Sequence, residues 1–210
     1  QMSGGRLQVG VGKGISSIES GYYGIDGGDV TEIYQEYFNI LMAAFASDEL
    51  TFEGKYFSVE NMPIEMAPMQ MPHPPIWTGI GNPNATAWPA ENNINVISNH
   101  NAPTMRKITD AYRADWAKLG RDEVDLPLMG MTRFLVIADT DDKALAIGRR
   151  IYDVWYKSFM KLWVRHDKIP PLVAYTEDFD GIIESGLAVA GSPDTVQGIL
   201  SDHIKESGIN

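Results

Sequence analysis

Hydrophobic and polar positions along the chain change repeatedly between a period of two and a period near 3.6. Residues 7–11 alternate apolar side chains with Gln or Gly, which predicts a first strand near 6–12. Residues 29–45 carry apolar side chains at helical spacing, which predicts a helix. Asp29 followed by Glu32 three residues later predicts a capping box at its start.

Further elements follow at regular intervals. Residues 50–68 contain two short extended pieces around Gly54, which predicts a hairpin-like excursion. Short apolar runs with β-branched residues predict three more strands, at 75–79, 95–98 and 131–138. Helical spacing, together with capping residues and closing glycines, predicts helices after Pro83 and at 103–119, 140–163 and 192–208.

This order of elements, in which strands alternate with helices, predicts an α/β fold. Strands separated by helices pair in parallel through right-handed crossovers. No linker or internal repeat interrupts residues 1–210, so the pattern favours one domain. It leaves open a doubly wound sheet and a (β/α)8 TIM barrel. Because a barrel takes about 250 residues, four strands would be only part of one.

Composition narrows the classes of partner. The formal net charge is -11, from 28 acidic and 17 basic residues. This balance argues against nucleic acid and anionic membranes as partners, since both select clustered Lys and Arg. The chain has no cysteine, which excludes a disulfide framework and a thiolate site and fits a cytoplasmic protein. We also expect no membrane span, because no apolar run approaches the roughly 20 residues required.

Two glycine-rich segments follow predicted strands and are candidates for cofactor binding. The first contains Gly12, Lys13 and Gly14, where free backbone N–H groups and a lysine suit a phosphate. The second contains Gly79, Gly81 and Asn82, before a predicted helix whose N-terminus would attract the same group. An ordinary tight turn is the alternative for both, since neither matches a Walker or Rossmann spacing.

The histidines give one candidate for catalysis. His100 directly follows a predicted strand, which places it where a barrel would bind its ligand. The four histidines lack metal-ligand spacing, so we expect no metal site. Glu19 and Asp26, on the loop after the first strand, are possible polar pocket residues.

The ordered motifs together resemble the luciferase-like flavin-dependent monooxygenase superfamily, with the bacterial luciferase α-subunit type as the branch most alike. The resemblance extends over essentially all 210 residues. The motifs that carry it are SGGR at 3–6, GVGKG at 10–14, Glu19, YGID at 23–26, PPIWTGIG at 74–81, NVIS at 95–98, VWYKSF at 154–159, GSPDTV at 191–196 and SGI at 207–209.

The resemblance implies an incomplete TIM barrel that covers about strands four to seven, and both chain ends look cut. It implies reduced FMN as cofactor, or F420 in some branches, with Lys13 and Asn82 at the phosphate. Lys13 stands where the family often has Arg, and Lys lacks the bidentate fork of Arg. The family's catalytic histidine lies on an early strand outside these residues.

The implied activity is oxygenation of a small apolar or carbonyl substrate by reduced FMN and O₂. A separate flavin reductase would supply the cofactor, and the parent protein would be dimeric. Two alternatives remain open at this point. One is an F420-dependent oxidoreductase of the same superfamily, and the other is a flavin-binding protein without turnover.

Overall fold

A computed structural model of the chain describes residues 2–25, 27–171 and 175–210. Asp26, one of the possible pocket residues, lies outside them. The strands are β1 (Val9–Val11), β2 (Glu49–Glu53), β3 (Ser58–Pro63), β4 (Ile76–Gly79), β5 (Asn95–Ser98), β6 (Met129–Met131), β7 (Phe134–Ile137) and β8 (Ala188–Gly191). The helices are α1 (Ser17–Tyr22), α2 (Val30–Ala46), α3 (Ala87–Glu91), α4 (Ala102–Lys118), α5 (Asp141–Arg165), α6 (Phe179–Glu184) and α7 (Pro193–Ser207).

The chain forms two compact units, residues 1–78 and 79–210. In the first unit, β1 pairs in parallel with β4, with Val9 opposite Ile76. The hairpin expected over 50–68 is formed by β2 and β3, which pair antiparallel. The Glu36 carboxylate of α2 accepts the backbone N–H groups of the hairpin turn, at 2.7–2.9 Å from residues 55–57. These bonds fasten the hairpin to the helix.

The capping box expected at the start of α2 is wrong. Asp29 has helical backbone angles and its side chain makes no capping hydrogen bond. The Tyr56 hydroxyl instead lies 2.9 Å from the Asp29 carboxylate and 2.9 Å from that of Glu32, so the two acids share the one hydroxyl hydrogen. Glu32 also pairs with the Lys55 ammonium at 2.6 Å. Both acids are thus used to hold the hairpin, a distant contact that local spacing does not reveal.

The second unit contains two parallel strand pairs, each with its own core. β5 pairs with β6, and β7 pairs with β8. The first core lies between β5, β6 and α4, and its fully buried members include Val96, Met105, Ile108, Tyr112 and Met129. The second core is shared by β7, β8, α5 and α6 and includes Val136, Ala144, Tyr152, Phe179 and Ile182.

The single strand expected at 131–138 is two strands. Thr132 still donates its N–H to Ser98, which extends the β5–β6 ladder by one bond. Beyond it the chain leaves that ladder at Arg133, and Phe134 begins the pairing with β8. β8 and the six-residue helices α1 and α6 were not expected. The six residues of α1 and of α6 span less than two helical turns, so spacing alone does not identify these helices.

The expected starts of the last two long helices are confirmed. Thr140 and Ser192 accept N–H groups of the first turns of α5 and α7, and Gly208 ends α7 with φ 67°. Asn101 caps α4 in the same way. Within the described residues, no helix is both long and apolar enough to cross a membrane.

Candidate functional site

The first glycine loop follows β1 directly. Gly14 has φ +76°, a conformation that favours glycine, whereas a Cβ on Gly12 would meet no atom within 4 Å. The Lys13 ammonium donates to the Thr31 hydroxyl at 3.1 Å, in the first turn of α2. Its other two hydrogens meet no acceptor in the part of the chain that the structure describes, and the side chain is exposed. Lys13 can therefore bind an anion without breaking an ion pair.

Lys13 also lines a cavity of about 500 Å³ inside the first unit. Its described walls are otherwise uncharged and mostly apolar, with Val11 on one side and Ile33, Phe38 and Leu41 of α2 on the other. Tyr34 lies in the same wall, with its hydroxyl 2.9 Å from that of Thr78. Burial raises the pKa of Tyr34, so the phenol stays neutral. The cavity therefore combines one cation with an apolar interior.

The second glycine segment differs from the expectation. Gly79 ends β4, and Asn82 begins a three-residue 3₁₀ turn at 83–85, before the five-residue helix α3. A short 3₁₀ turn and a five-residue helix thus follow Asn82, where the sequence predicted one short helix after Pro83. Pro83 has no N–H, and the Asn82 side-chain oxygen already accepts the N–H of Asn84 at 2.8 Å. The side-chain amide group of Asn82 remains as a donor.

The structure brings His100 together with Gly81. The His100 Nε2 lies 3.0 Å from the carbonyl oxygen of Gly81. Because a carbonyl only accepts, Nε2 carries the proton in this bond and Nδ1 is the nitrogen left to accept. The ring thus joins the loops that follow β4 and β5. As a catalytic group, His100 would act through Nδ1.

Arg133 is a residue that the sequence analysis missed. It follows the end of β6 and donates from Nη1 to the His100 carbonyl at 2.9 Å, and from Nε to His203 Nδ1 at 3.4 Å. Burial lowers the pKa of Arg133. Burial and the neighbouring guanidinium also lower the pKa of His203. Arg133 lies just past the end of β6, where ligand-binding residues are often found. The sequence pattern predicted one continuous strand over 131–138, so this position was not recognised.

Asn99 and Tyr175 were also missed. Val96 and Ser98 of β5 are buried on its helix side, so Asn99 lies on the opposite face of the strand. Its side-chain amide donates to the Tyr175 hydroxyl at 2.7 Å. Alternation counted from Val96 could have indicated Asn99. Nothing local indicates Tyr175, which comes 76 residues later in the chain.

Possible metal ligands do not cluster in the described ranges, where no group of three or more His, Asp or Glu side chains could hold an ion.

Comparison with known proteins gives a family match along the whole chain. A family model described as luciferase-like monooxygenase matches residues 1–210. An uncharacterized protein of Sinorhizobium fredii, y4wF, is 34% identical over 210 residues, which are all of this chain and 61% of that protein. The chain thus spans less than two thirds of this relative.

Solved structures share the fold at low identity. A monooxygenase of Streptomyces bottropensis, RslO1, has a TM-score of 0.79 at 20% identity, over 99% of this chain and 60% of its own. The oxygenating constituent of a Pseudomonas putida diketocamphane monooxygenase, solved with FMN, has a TM-score of 0.70 at 19% identity. The match covers 98% of this chain and 62% of that one. An F420-dependent secondary alcohol dehydrogenase, solved with an F420–acetone adduct, has a TM-score of 0.73 at 17% identity. The match covers 100% of this chain and 64% of that one.

These neighbours are luciferase-like TIM-barrel proteins, which agrees with the α/β fold expected for part of such a barrel. The described residues form parallel strand pairs and helices but no closed barrel. The match to the family model covers every residue of the chain. The chain therefore belongs to the luciferase-like monooxygenase family.

Proposed function

We propose that the protein containing this chain is a flavin-dependent monooxygenase that uses reduced FMN and O₂ to oxygenate a small apolar or carbonyl substrate. The family match supports an enzyme of this class. The observation that carries the cofactor assignment is Lys13, an exposed cation with free hydrogens on a glycine loop beside an apolar cavity. A cofactor with a phosphate at one end and flat aromatic rings at the other suits such a place.

Each candidate residue would contribute a different kind of contact with the cofactor. Lys13 would bind the phosphate by charge, with the backbone of Gly12 and Gly14 beside it. Gly79, Gly81 and the side-chain amide of Asn82 stay, on the sequence alone, as further candidates for neutral contacts with the cofactor. Bound reduced FMN supplies the electrons that activate O₂, while the protein orients the substrate and excludes water. We assign His100 the catalytic role of proton acceptor at Nδ1.

An F420-dependent oxidoreductase is the second candidate, because a structural neighbour is an F420-dependent dehydrogenase. Titration with FMN and with F420 separates the two by affinity. A flavin-binding protein without turnover would bind FMN and oxygenate nothing. For the monooxygenase, we further propose a cytoplasmic location, a separate flavin reductase and a dimeric parent protein.

Replacement of Lys13 tests the cofactor assignment. A charge-assisted hydrogen bond contributes roughly 1.5–3 kcal/mol, so Lys13→Ala should weaken FMN binding by about 10- to 150-fold. Asn82→Ala removes a neutral donor and should cost less. Quenching of flavin fluorescence during titration of the full-length protein measures both.

Lys161→Ala is the matched control, because Lys161 is an exposed lysine of α5 without a hydrogen bond to a described residue. We expect its FMN affinity to equal that of the wild type. Unchanged affinity in Lys13→Ala, with the circular dichroism spectrum intact, would remove Lys13 from the phosphate site.

A further inference from the structure

The Tyr175 hydroxyl has an unused hydrogen. The phenol oxygen accepts the side-chain N–H of Asn99 at 2.7 Å. Across the described ranges 2–25, 27–171 and 175–210, the hydroxyl makes no second hydrogen bond, so its own hydrogen has no acceptor there. Burial raises the pKa of Tyr175, so the hydrogen is retained at neutral pH. The Asn99 contact therefore leaves Tyr175 as a donor.

This donor lies near the end of a barrel strand. Asn99 immediately follows β5, on the face opposite the helix-side core that contains Val96. In barrels of this type, ligands bind at the carboxyl ends of the strands. His100, the next residue, is the group to which we assign proton transfer. Tyr175 is thus held beside the segment that carries the proposed chemistry.

Aromatic rings of α5 pack against the ring of Tyr175. Trp155 and Phe159 of α5 stack with ring centroids 4.9 Å apart and an interplanar angle of 10°. The Tyr175 ring meets both edge-on, at 5.2 and 5.3 Å. The centroid of the Phe134 ring lies 4.6 Å from that of Trp155 and 6.2 Å from that of Tyr175. All four rings are only partly buried, so together they form an aromatic wall that can present both apolar surface and one polar atom to a ligand.

We infer that Tyr175 recognises the carbonyl oxygen of an aldehyde or ketone, while the aromatic wall of Phe134, Trp155, Phe159 and Tyr175 packs against the apolar body of that molecule. The inference rests on the proposed function, whose substrate class it narrows to carbonyl compounds. A carbonyl oxygen needs only a donor. The Tyr175 hydroxyl supplies that donor.

Two ligands of nearly the same shape, one with a carbonyl oxygen and one without, test whether Tyr175 recognises that oxygen. Cyclohexanone and methylenecyclohexane differ in whether C=O or C=CH₂ projects from the ring. We expect the full-length protein to bind the ketone more tightly, by headspace partition measurements. Tyr175→Phe keeps the aromatic wall and removes one neutral hydrogen bond, so the preference should fall by roughly 2- to 12-fold. An undiminished preference in Tyr175→Phe would overturn the inference.

Tyr156→Phe is the matched control. Tyr156 belongs to α5, and its ring lies 6.0 Å from that of Tyr152 in the same aromatic region. Its hydroxyl forms no hydrogen bond to a described residue. The same chemical change there should leave the preference for the ketone unchanged. An equal loss in both variants would mean that the phenol hydrogen of Tyr175 has no special role.

Asn99→Asp separates recognition from packing, because it changes the direction of a hydrogen bond with little change in size. A carboxylate only accepts, so Tyr175 would turn its hydrogen to Asp and lose it for the ligand. This variant should lose the preference as Tyr175→Phe does. The carbonyl stretch of bound cyclohexanone should lie at lower wavenumber in the wild type than in either variant. Equal stretches in all three proteins would contradict the assignment.

FMN affinity distinguishes this inference from the proposed function. Tyr175→Phe and Asn99→Asp should bind FMN as the wild type does, and a parallel loss of FMN affinity would count against a role in carbonyl binding. A wild type that binds no flavin would instead refute the proposed function. The ketone preference can be measured without flavin and would still decide the carbonyl site.

Discussion

At the residue scale, the protonation of His203, which contacts Arg133, makes the free energy of unfolding depend on pH. Burial is the larger cause of its lowered pKa and Arg133 the next, while Asp202 and Glu206 oppose them. The unfolded chain therefore takes up a proton at His203 at higher pH than the folded protein. The free energy of unfolding should then decrease as pH falls below the ordinary value of about 6.5.

His203→Gln tests this link, because Gln does not titrate. The loss of stability between pH 7.5 and 5.5, measured by urea unfolding, should be smaller in the variant than in the wild type. The difference between the two proteins isolates His203 from the many carboxylates that also titrate. An identical loss in both would show that the His203–Arg133 contact does not control stability in this range.

Asn99 and His100 show how far single residues could be predicted. Position after a strand identified His100 as a candidate, and alternation would have added Asn99. The partner of each lies elsewhere in the chain, at Tyr175 for Asn99 and at Gly81 for His100. Such pairs depend on the folded topology, so neither the fixed His100 ring nor the Tyr175 donor could be inferred from spacing.

At the element scale, the attachment of the β2–β3 hairpin to α2 depends on Glu36. Its carboxylate accepts three backbone N–H groups, and a Cβ on Gly54 would lie 2.3 Å from one of its oxygens. Glu36→Gln leaves one accepting oxygen and removes the charge. A loss of about 1–2 kcal/mol locally would accelerate amide exchange at residues 55–57 by roughly 5- to 30-fold.

Glu60→Gln is the control, since Glu60 is an exposed acid of β3 in the same hairpin. Its exchange rates at residues 55–57 should match those of the wild type. Equal rates in Glu36→Gln would show that the hairpin is held by its apolar contacts instead.

The elements themselves were predictable where they are long. α4, α5 and α7 repeat the helical period several times and begin at recognisable caps, so their bounds follow from the sequence. The β6–β7 boundary did not, because the pattern predicted one strand over 131–138 and the change of pairing partner depends on β8. The cap of α2 also failed, since Asp29 and Glu32 serve the hairpin.

At the scale of the whole molecule, the family was recognisable because its motifs occur in order along all 210 residues. Each motif alone matches many unrelated turns. The identity of the cofactor was harder to infer, because structural neighbours include proteins solved with FMN and with F420. Both cofactors carry a phosphate, so the phosphate contact proposed for Lys13 does not distinguish them.

Oxygen labelling tests the central claim most directly. The full-length protein would be mixed anaerobically with reduced FMN, then exposed to ¹⁸O₂ in the presence of a panel of small ketones and aldehydes that includes cyclohexanone. We predict that mass spectrometry detects a product that contains one ¹⁸O atom, and that reduced F420 in place of FMN gives none. Unlabelled products throughout, with hydride transfer from reduced F420 to a carbonyl substrate, would contradict the monooxygenase assignment.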